Sequence, residues 1–317
     1  MHTRLGIIIL HYKNYQETID CVMSALKQQG SGYEIVVVDN GSGDGSYEIL
    51  RRRFRRVPHV TVKRLKKNLG FARGNNCGIR YARTHFGAED CFICNSDVIF
   101  KETLFEELLA ARGEEIGVIS PAVYDTDHNP QPFSVNTTDP YKTIAFTWLY
   151  VLYMSLPNHL RRILRVLHKL LFKGLGKLIR RLCELYIIFS KYILTDKKGE
   201  KDDISPKSRA SGNKAEDFCR IQGCAFLLTK EYFKFYNQLY PKTFLYGEEL
   251  NLSVYLKKAG LKAVAADTSP VIHKGKQSSY GLCHKEGEKK RLRFVRHSLF
   301  CSLPLIFLSS STIRKLF

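Results

Sequence analysis

Four sets of residues have the types and spacing to do chemistry. Asp97 closes the run Asp90-Cys91-Phe92-Ile93-Cys94-Asn95-Ser96-Asp97-Val98, which reads as a short buried strand with one exposed carboxylate at its carboxyl end. Ligands of open α/β sheets bind outside the carboxyl ends of the strands, so a carboxylate emerging there is placed to hold a metal ion or a sugar. The same residue would also serve to cap the helix beginning near Glu102 or to close a turn. Glu248 and Glu249 are adjacent carboxylates at a helix start, where the helix dipole favours acids whatever their task. Neighbours on a helix point about 100° apart, so at most one of the pair faces a site. His273 ends the apolar run Val271-Ile272-His273. The last set is spread over several segments: His11 and Tyr12, Asp39 and Asn40, Asn68, and Asn95 with Ser96 each follow an apolar run.

The elements that must position these residues alternate between strand and helix. Leu5 to His11 is rich in β-formers, and Ile19, Val22, Met23 and Leu26 then recur at helical spacing. Asn14, three residues before Glu17, has the spacing of a helix start. Glu34 to Asp39 predicts a second strand, followed by a helix from Ser46 to about Phe54. Val60 to Lys63 predicts a third, leading through Asn68-Leu69-Gly70 into a helix from Phe71 to about Arg83. The Asp97 strand is the fourth, with a helix carrying Leu104, Phe105, Leu108 and Leu109 behind it. Such regular alternation predicts an α/β fold, a mainly parallel sheet with helices on both faces. Parallel strands bring all the polar clusters to one edge. Asp39 would there accept hydrogen bonds from a base or ribose, with Arg73 facing the base or phosphates. Asp39 and Asn40 also suit a turn completed by Gly41.

The chain has 317 residues, 44% hydrophobic and 12% aromatic, and this excludes a disordered polymer. Its net charge of +20 calls for an anionic partner surface. Nine cysteines, odd in number and mostly in apolar segments, read as free thiols of a reducing compartment. The rhythm breaks at about residue 132 and resumes near 216. Within that insertion the apolar run Ile144 to Met154 is shorter than the ~20 residues a spanning helix needs. Arg161, Arg162, Arg165, Lys169, Lys173, Lys177, Arg180 and Arg181 then form a basic stripe on a helix whose other faces are leucine-rich. A basic amphipathic helix of this kind suits an anionic membrane surface. The cations interleave with aliphatic rather than stacking aromatic residues, which disfavours nucleic acid. A charged linker, Lys197 to Lys214, follows. The tail Arg291 to Phe317 combines arginines with the apolar run Leu303 to Leu308 and reads as a second membrane-surface contact.

Five segments, in order, resemble family 2 glycosyltransferases of the GT-A fold, in particular bacterial rhamnosyltransferase-like enzymes of capsule or O-antigen assembly. They are Ile9-Leu10-His11-Tyr12-Lys13-Asn14, Val37-Val38-Asp39-Asn40-Gly41-Ser42, Asn68-Leu69-Gly70-Phe71-Ala72-Arg73-Gly74-Asn75-Asn76, Asn95-Ser96-Asp97-Val98, and Phe244-Leu245-Tyr246-Gly247-Glu248-Glu249-Leu250-Asn251-Leu252. The resemblance implies a nucleotide-sugar-binding half (1–131), a helical amphipathic insertion (132–215), an acceptor and catalytic-base half (216–290) and a membrane-associating tail (291–317). It implies a nucleotide pocket of His11, Tyr12, Asn14, Asp39, Asn68, Arg73, Asn76 and Ser96, and Mg2+ or Mn2+ held by Asp97 and His273. Glu249, aligned with the usual Asp, is the implied general base, with Glu248 beside it. The chain departs from the family pattern in having Asn95 at the first position of its D-x-D and Asn251 where many relatives carry Asp. The implied reaction moves a sugar, with inversion, from a UDP- or dTDP-sugar to a polyprenyl-diphosphate-linked glycan at the cytoplasmic face of the cell membrane. A non-catalytic lipid- or nucleic-acid-binding protein on the same fold is the alternative.

Overall fold

The computed structural model describes residues 5–30, 32–137, 139–157, 159–164, 219–275 and 284–316. The apolar runs of the amino-terminal part become β1 (Leu5–His11), α1 (Tyr15–Ala25), β2 (Tyr33–Asp39), α2 (Ser46–Phe54), β3 (Val60–Arg64), α3 (Phe71–His85), β4 (Asp90–Asn95), β5 (Val98–Ile99), α4 (Leu104–Ala110), β6 (Ile116–Ser120) and β7 (Val123–Tyr124). Then come β8 (Val135–Thr137), α5 (Pro140–Ser155), β9 (Cys219–Ile221), β10 (Ala225–Leu228), α6 (Lys230–Phe235), α7 (Glu248–Ala259), β11 (Lys262–Ala265) and β12 (Val271–His273). The chain ends with α8 (His284–Ser302), a 3-10 turn (Leu303–Ile306) and α9 (Ser310–Leu316).

Seven strands form the main sheet in the order β11-β6-β10-β4-β1-β2-β3. All neighbours are parallel except β10, which runs antiparallel to both β4 and β6. Alternate residues of each strand face opposite layers. Ile7, Ile9, Ile35, Val37, Phe92 and Cys94 pack with Cys21, Val22 and Ala25 of α1 and with Leu104, Phe105 and Leu108 of α4. Ile8 and Val38 turn the other way, against Gly78 of α3. With both faces covered, the strands are continuous apolar runs, as buried parallel strands require.

Two small sheets sit beside the main one, β5-β12-β7 and β8-β9. The second corrects the start of the insertion. Residues 135–137 pair antiparallel with Cys219–Ile221 and so belong with the strand that follows the insertion. The chain divides into one unit of Met1–Tyr141 with Asp217–Phe317 and another of Lys142–Glu216. In the latter, the apolar run of residues 144–154 is helical, part of α5. The basic stripe from Arg165 onward and the linker Lys197 to Lys214 lie outside the described residues. Among the described residues no helix is long and apolar enough to cross a membrane. In the tail, Leu299, Leu305 and Ile313 are buried, while Phe300 and Phe307 are exposed.

Candidate active site

The carboxyl ends of β1, β2 and β4 lie side by side, since His11 is paired with Asp39 and Leu10 with Asn95. Asp39 is fully buried. Its Oδ1 accepts the Ser42 N–H (3.0 Å) and the Ser42 hydroxyl (2.5 Å), while Oδ2 has no partner among the described residues. A buried carboxylate oxygen left unpaired is costly unless a ligand fills its place. Ser42 Oγ also accepts the Lys13 N–H (2.9 Å), which ties the loop after β1 to the loop after β2. Lys13 and Asn14 adopt left-handed φ values of 60° and 46° there, and Tyr12 is exposed beside them. Such non-glycine conformations persist where surrounding contacts fix them.

Several residues assigned to the nucleotide pocket are engaged in holding the scaffold. The His11 ring is buried with both nitrogens engaged, Nδ1 by Thr18 Oγ1 (2.6 Å) and Nε2 by Ser46 Oγ (2.9 Å). Burial lowers its pKa, against the pull of Asp39 and Asp44, so it is a neutral tie between α1 and α2. Asn76 Nδ2 donates to the Leu239 carbonyl and its Oδ1 accepts the Leu239 N–H, both at 2.8 Å. Asn68 Oδ1 accepts from Gly70 N–H (2.9 Å) and Asn40 Nδ2 (3.1 Å), shaping its own loop. Arg73 is exposed, with Nε donating to the Pro241 carbonyl (2.7 Å). Polar side chains of this kind look alike in sequence whether they bind ligand or backbone. Asn76→Ala is expected to cost about 2 kcal/mol or more, because it strands both backbone groups of Leu239. Thermal melting checks this, with nucleotide affinity unchanged.

Asp97 departs from expectation in a useful way, being only 2% exposed. The strand stops at Asn95, and the chain turns through Ser96, which is also buried, into β5. There β12 pairs with β5, setting His273 opposite Val98, and the Lys274 N–H donates to the Asp97 carbonyl (2.9 Å). This brings His273 Nε2 to 3.5 Å from Asp97 Oδ1, a buried oxygen with no other partner among the described residues. On its other side Nδ1 meets Gln131 Oε1 at 3.0 Å. Burial opposes protonation of His273, but the Cys224 sulfur and the Asp97 carboxylate outweigh it and hold the imidazole up at about 10. Lys274 reaches Glu17 (2.6 Å) and Asp20 (2.9 Å), fastening β12 to α1.

No set of three or more His, Cys, Asp or Glu side chains among the described residues converges on a metal position. The donors present still fit Mg2+ or Mn2+, because such ions are held by one or two carboxylates plus the phosphates of a substrate. Asp97 offers its Oδ1, which faces His273, and His273, once a cation displaces its proton, offers a nitrogen whose ring is oriented from behind by Gln131.

The two glutamates open α7. Gly70 brings their loop into place: a Cβ there would collide with the Phe244 carbonyl, which accepts the Phe71 N–H (2.8 Å). Tyr246 and Gly247 then take φ values of 71° and 84°, and the helix begins. Glu248 is buried, and burial followed by the charge of Glu249 raises its pKa well above the carboxylate range, against the pull of Thr243. Glu249 is raised by burial. Its carboxylate rests on Gly223, where any Cβ would overlap Oε1, and the Gly223 N–H donates to Ser134 Oγ (2.9 Å). Gly223 leads to Cys224, whose carbonyl accepts the Asn95 N–H (2.9 Å) and whose sulfur acts on His273. One short segment therefore joins the Glu249 carboxylate to the Asp97–His273 pair.

The family model described as "Glycosyl transferase family 2" matches residues 6–174, just over half of the chain. The chain belongs to glycosyl transferase family 2. A curated relative, "Glycosyltransferase GlyG" of Streptococcus pneumoniae serotype 4, is 32% identical over 108 residues, 34% of this chain and 35% of that protein. The match thus spans about a third of the relative's length. Among solved structures, the mannosyltransferase PcManGT from Pyrobaculum calidifontis, in complex with GDP-Man and Mn2+, has a TM-score of 0.51 at 11% identity. That alignment covers 99% of this chain and 74% of that one. The likeness supports a GT-A fold. S. aureus TarS 1-349 with UDP gives a TM-score of 0.49 at 12% identity, covering 92% of this chain and 70% of that one.

Several residues around this family 2 site went unnoticed in the sequence: Ser42, Gln131, Ser134, Gly223 and Cys224. Gln131 lies 142 positions from His273, and Ser134 89 from Gly223. Only pairing of β8 with β9 and β7 with β12 makes them neighbours. Gly223→Ala is expected to leave the fold intact and displace the Glu249 carboxylate, lowering kcat by about 100-fold if the shift is near 1 Å. Steady-state kinetics beside a melting curve would show it.

Proposed function

We propose that this protein is an inverting glycosyltransferase that uses a UDP- or dTDP-sugar, depends on Mg2+ or Mn2+, and acts on a lipid-linked glycan at the cytoplasmic face of a membrane. The observation carrying this reading is the segment Gly223-Cys224, which joins the Glu249 carboxylate to the pair of Asp97 and His273. The unpaired Oδ2 of Asp39 suits a donor N–H or O–H of a base or ribose, with exposed Tyr12 at the same edge. Asn14 supports that edge through its left-handed turn, and Ser96 sets the turn to Asp97.

A divalent ion at Asp97 and His273 would offset the charge gathering on the departing diphosphate. Glu249 removes the proton from the acceptor hydroxyl as that oxygen bonds to the anomeric carbon on the face opposite the diphosphate. The bond to the diphosphate breaks with its electron pair leaving on the phosphate oxygen, so one displacement inverts configuration. Burial raises both carboxyls, and at Glu248 the charge of Glu249 adds to it. We assign the base to Glu249 because its carboxylate is the one seated on Gly223, beside the segment that leads to His273.

The test is the melting temperature with UDP, dTDP, GDP and CDP, each with and without manganese. A nucleotide at about a hundred times its Kd stabilises by about 2.7 kcal/mol, a shift of several degrees. A metal-dependent shift by UDP or dTDP is expected. No shift by any of the four would sink the proposal.

A further inference from the structure

From Lys289 to Phe317 the sequence carries seven lysines and arginines and no acidic residue. This tail is folded against the half of the chain that bears the glutamates. Val295, Leu299, Leu305 and Ile313 are buried. The Tyr240 hydroxyl donates to the Cys301 carbonyl (2.6 Å), Lys258 Nζ to Ile306 (3.2 Å) and Arg314 Nη1 to Lys234 (2.9 Å). With that face occupied, the opposite one leaves Phe300 72% and Phe307 82% exposed, the highest values of any large hydrophobic among the described residues. Arg293, Arg296 and Phe300 are exposed at intervals of three and four, the spacing of one face of α8, and Pro304 and Phe307 are exposed on the 3-10 turn that follows and at its end.

We propose that these residues form the surface that docks on an anionic lipid bilayer. The two phenylalanines would enter the headgroup and acyl boundary while Arg293, Arg296 and Lys315 meet lipid phosphates. Charge selects lipid over a second copy of the chain, since a two-fold contact would set the arginines of one tail against those of the other. The surface is also fixed to the catalytic turn. Ser298 Oγ donates to the Leu245 carbonyl (2.9 Å), and the Phe294 ring stacks on Phe244 with centroids 5.1 Å apart. A bilayer held by this face would therefore orient the segment leading into Glu248 and Glu249. The inference rests on the lipid-linked acceptor only for its purpose; the docking itself is tested separately.

The experiment is co-sedimentation of the full chain with vesicles of phosphatidylcholine alone and of phosphatidylcholine mixed equally with phosphatidylglycerol. The wild type should bind the mixed vesicles and release as salt is raised. Phe300→Ser with Phe307→Ser should bind at least about tenfold more weakly, the smallest loss expected from one buried phenylalanine. Arg293→Glu with Arg296→Glu should remove the preference for phosphatidylglycerol. Both variants should melt as the wild type does, because the altered side chains are exposed. Undiminished binding by the phenylalanine variant overturns the proposal, as does a wild-type dimer that this variant dissociates. Nucleotide-induced melting shifts, read in parallel, report on the transferase reading alone.

Discussion

Glu249→Gln is expected to lower kcat by about 10²–10⁴-fold, the usual contribution of a positioned general base, while the nucleotide-induced melting shift stays as in the wild type. Glutamine keeps the shape that rests on Gly223 and removes the ability to take a proton. A loss confined to kcat therefore separates base chemistry from packing. Glu248→Gln makes the contrast. Glu248 has a pKa raised by burial and by Glu249, so folding favours its protonated form. Its contribution to stability is complete below the ordinary carboxylate range and is lost as pH rises through the raised value. The glutamine variant should melt with less fall than the wild type from acid to mildly alkaline pH and keep most of its kcat. If Glu248→Gln abolishes turnover and Glu249→Gln does not, the base assignment is reversed.

Asp97→Ala should remove the manganese-dependent part of nucleotide binding and reduce kcat/KM by about 100-fold or more, on the scale of one lost transition-state stabiliser. The argument rests on position: Asp97 is buried at the end of β4, its Oδ1 faces His273, and charge developing on a diphosphate needs a counter-charge there. Gln131→Ala tests the layer behind, because it releases the His273 ring without touching a donor. A 10- to 100-fold loss of metal affinity is the usual cost of such a change. Titration of manganese against the melting shift measures both variants. An Asp97→Ala protein that binds nucleotide with unchanged metal dependence would refute the site.

Much of the amino-terminal half was legible because its strands are buried on both faces and its helices carry regular apolar spacing. The extent of α2, Ser46–Phe54, was read directly from the sequence, and so was the convergence of chain ends at Asp39 and Asn95. What sequence could not show was the direction of individual polar side chains. His11 and Asn76 turned inward because partners 7 and 163 positions away supply their hydrogen bonds. Asp97 was found but its burial was not, since that depends on β12 arriving some 175 residues later. Gly223 gave no signal at all. Its φ is ordinary, and only the approach of Glu249 demands a residue without Cβ.

The antiparallel strand β10 has a consequence for synthesis of the chain on the ribosome. It lies between β4 and β6, yet it is translated more than a hundred residues after both. At about 5–20 residues per second, the finished portion β3-β2-β1-β4 waits several seconds or longer with one side of β4 unpaired, and β6 waits with no sheet partner, since β10 and β11 are both still to come. That edge strand, β4, leads into the turn to Asp97. An interior strand of the sheet is thus among the last to be installed, and a nascent chain halted before Ala225 has four strands assembled along a border open to other strands.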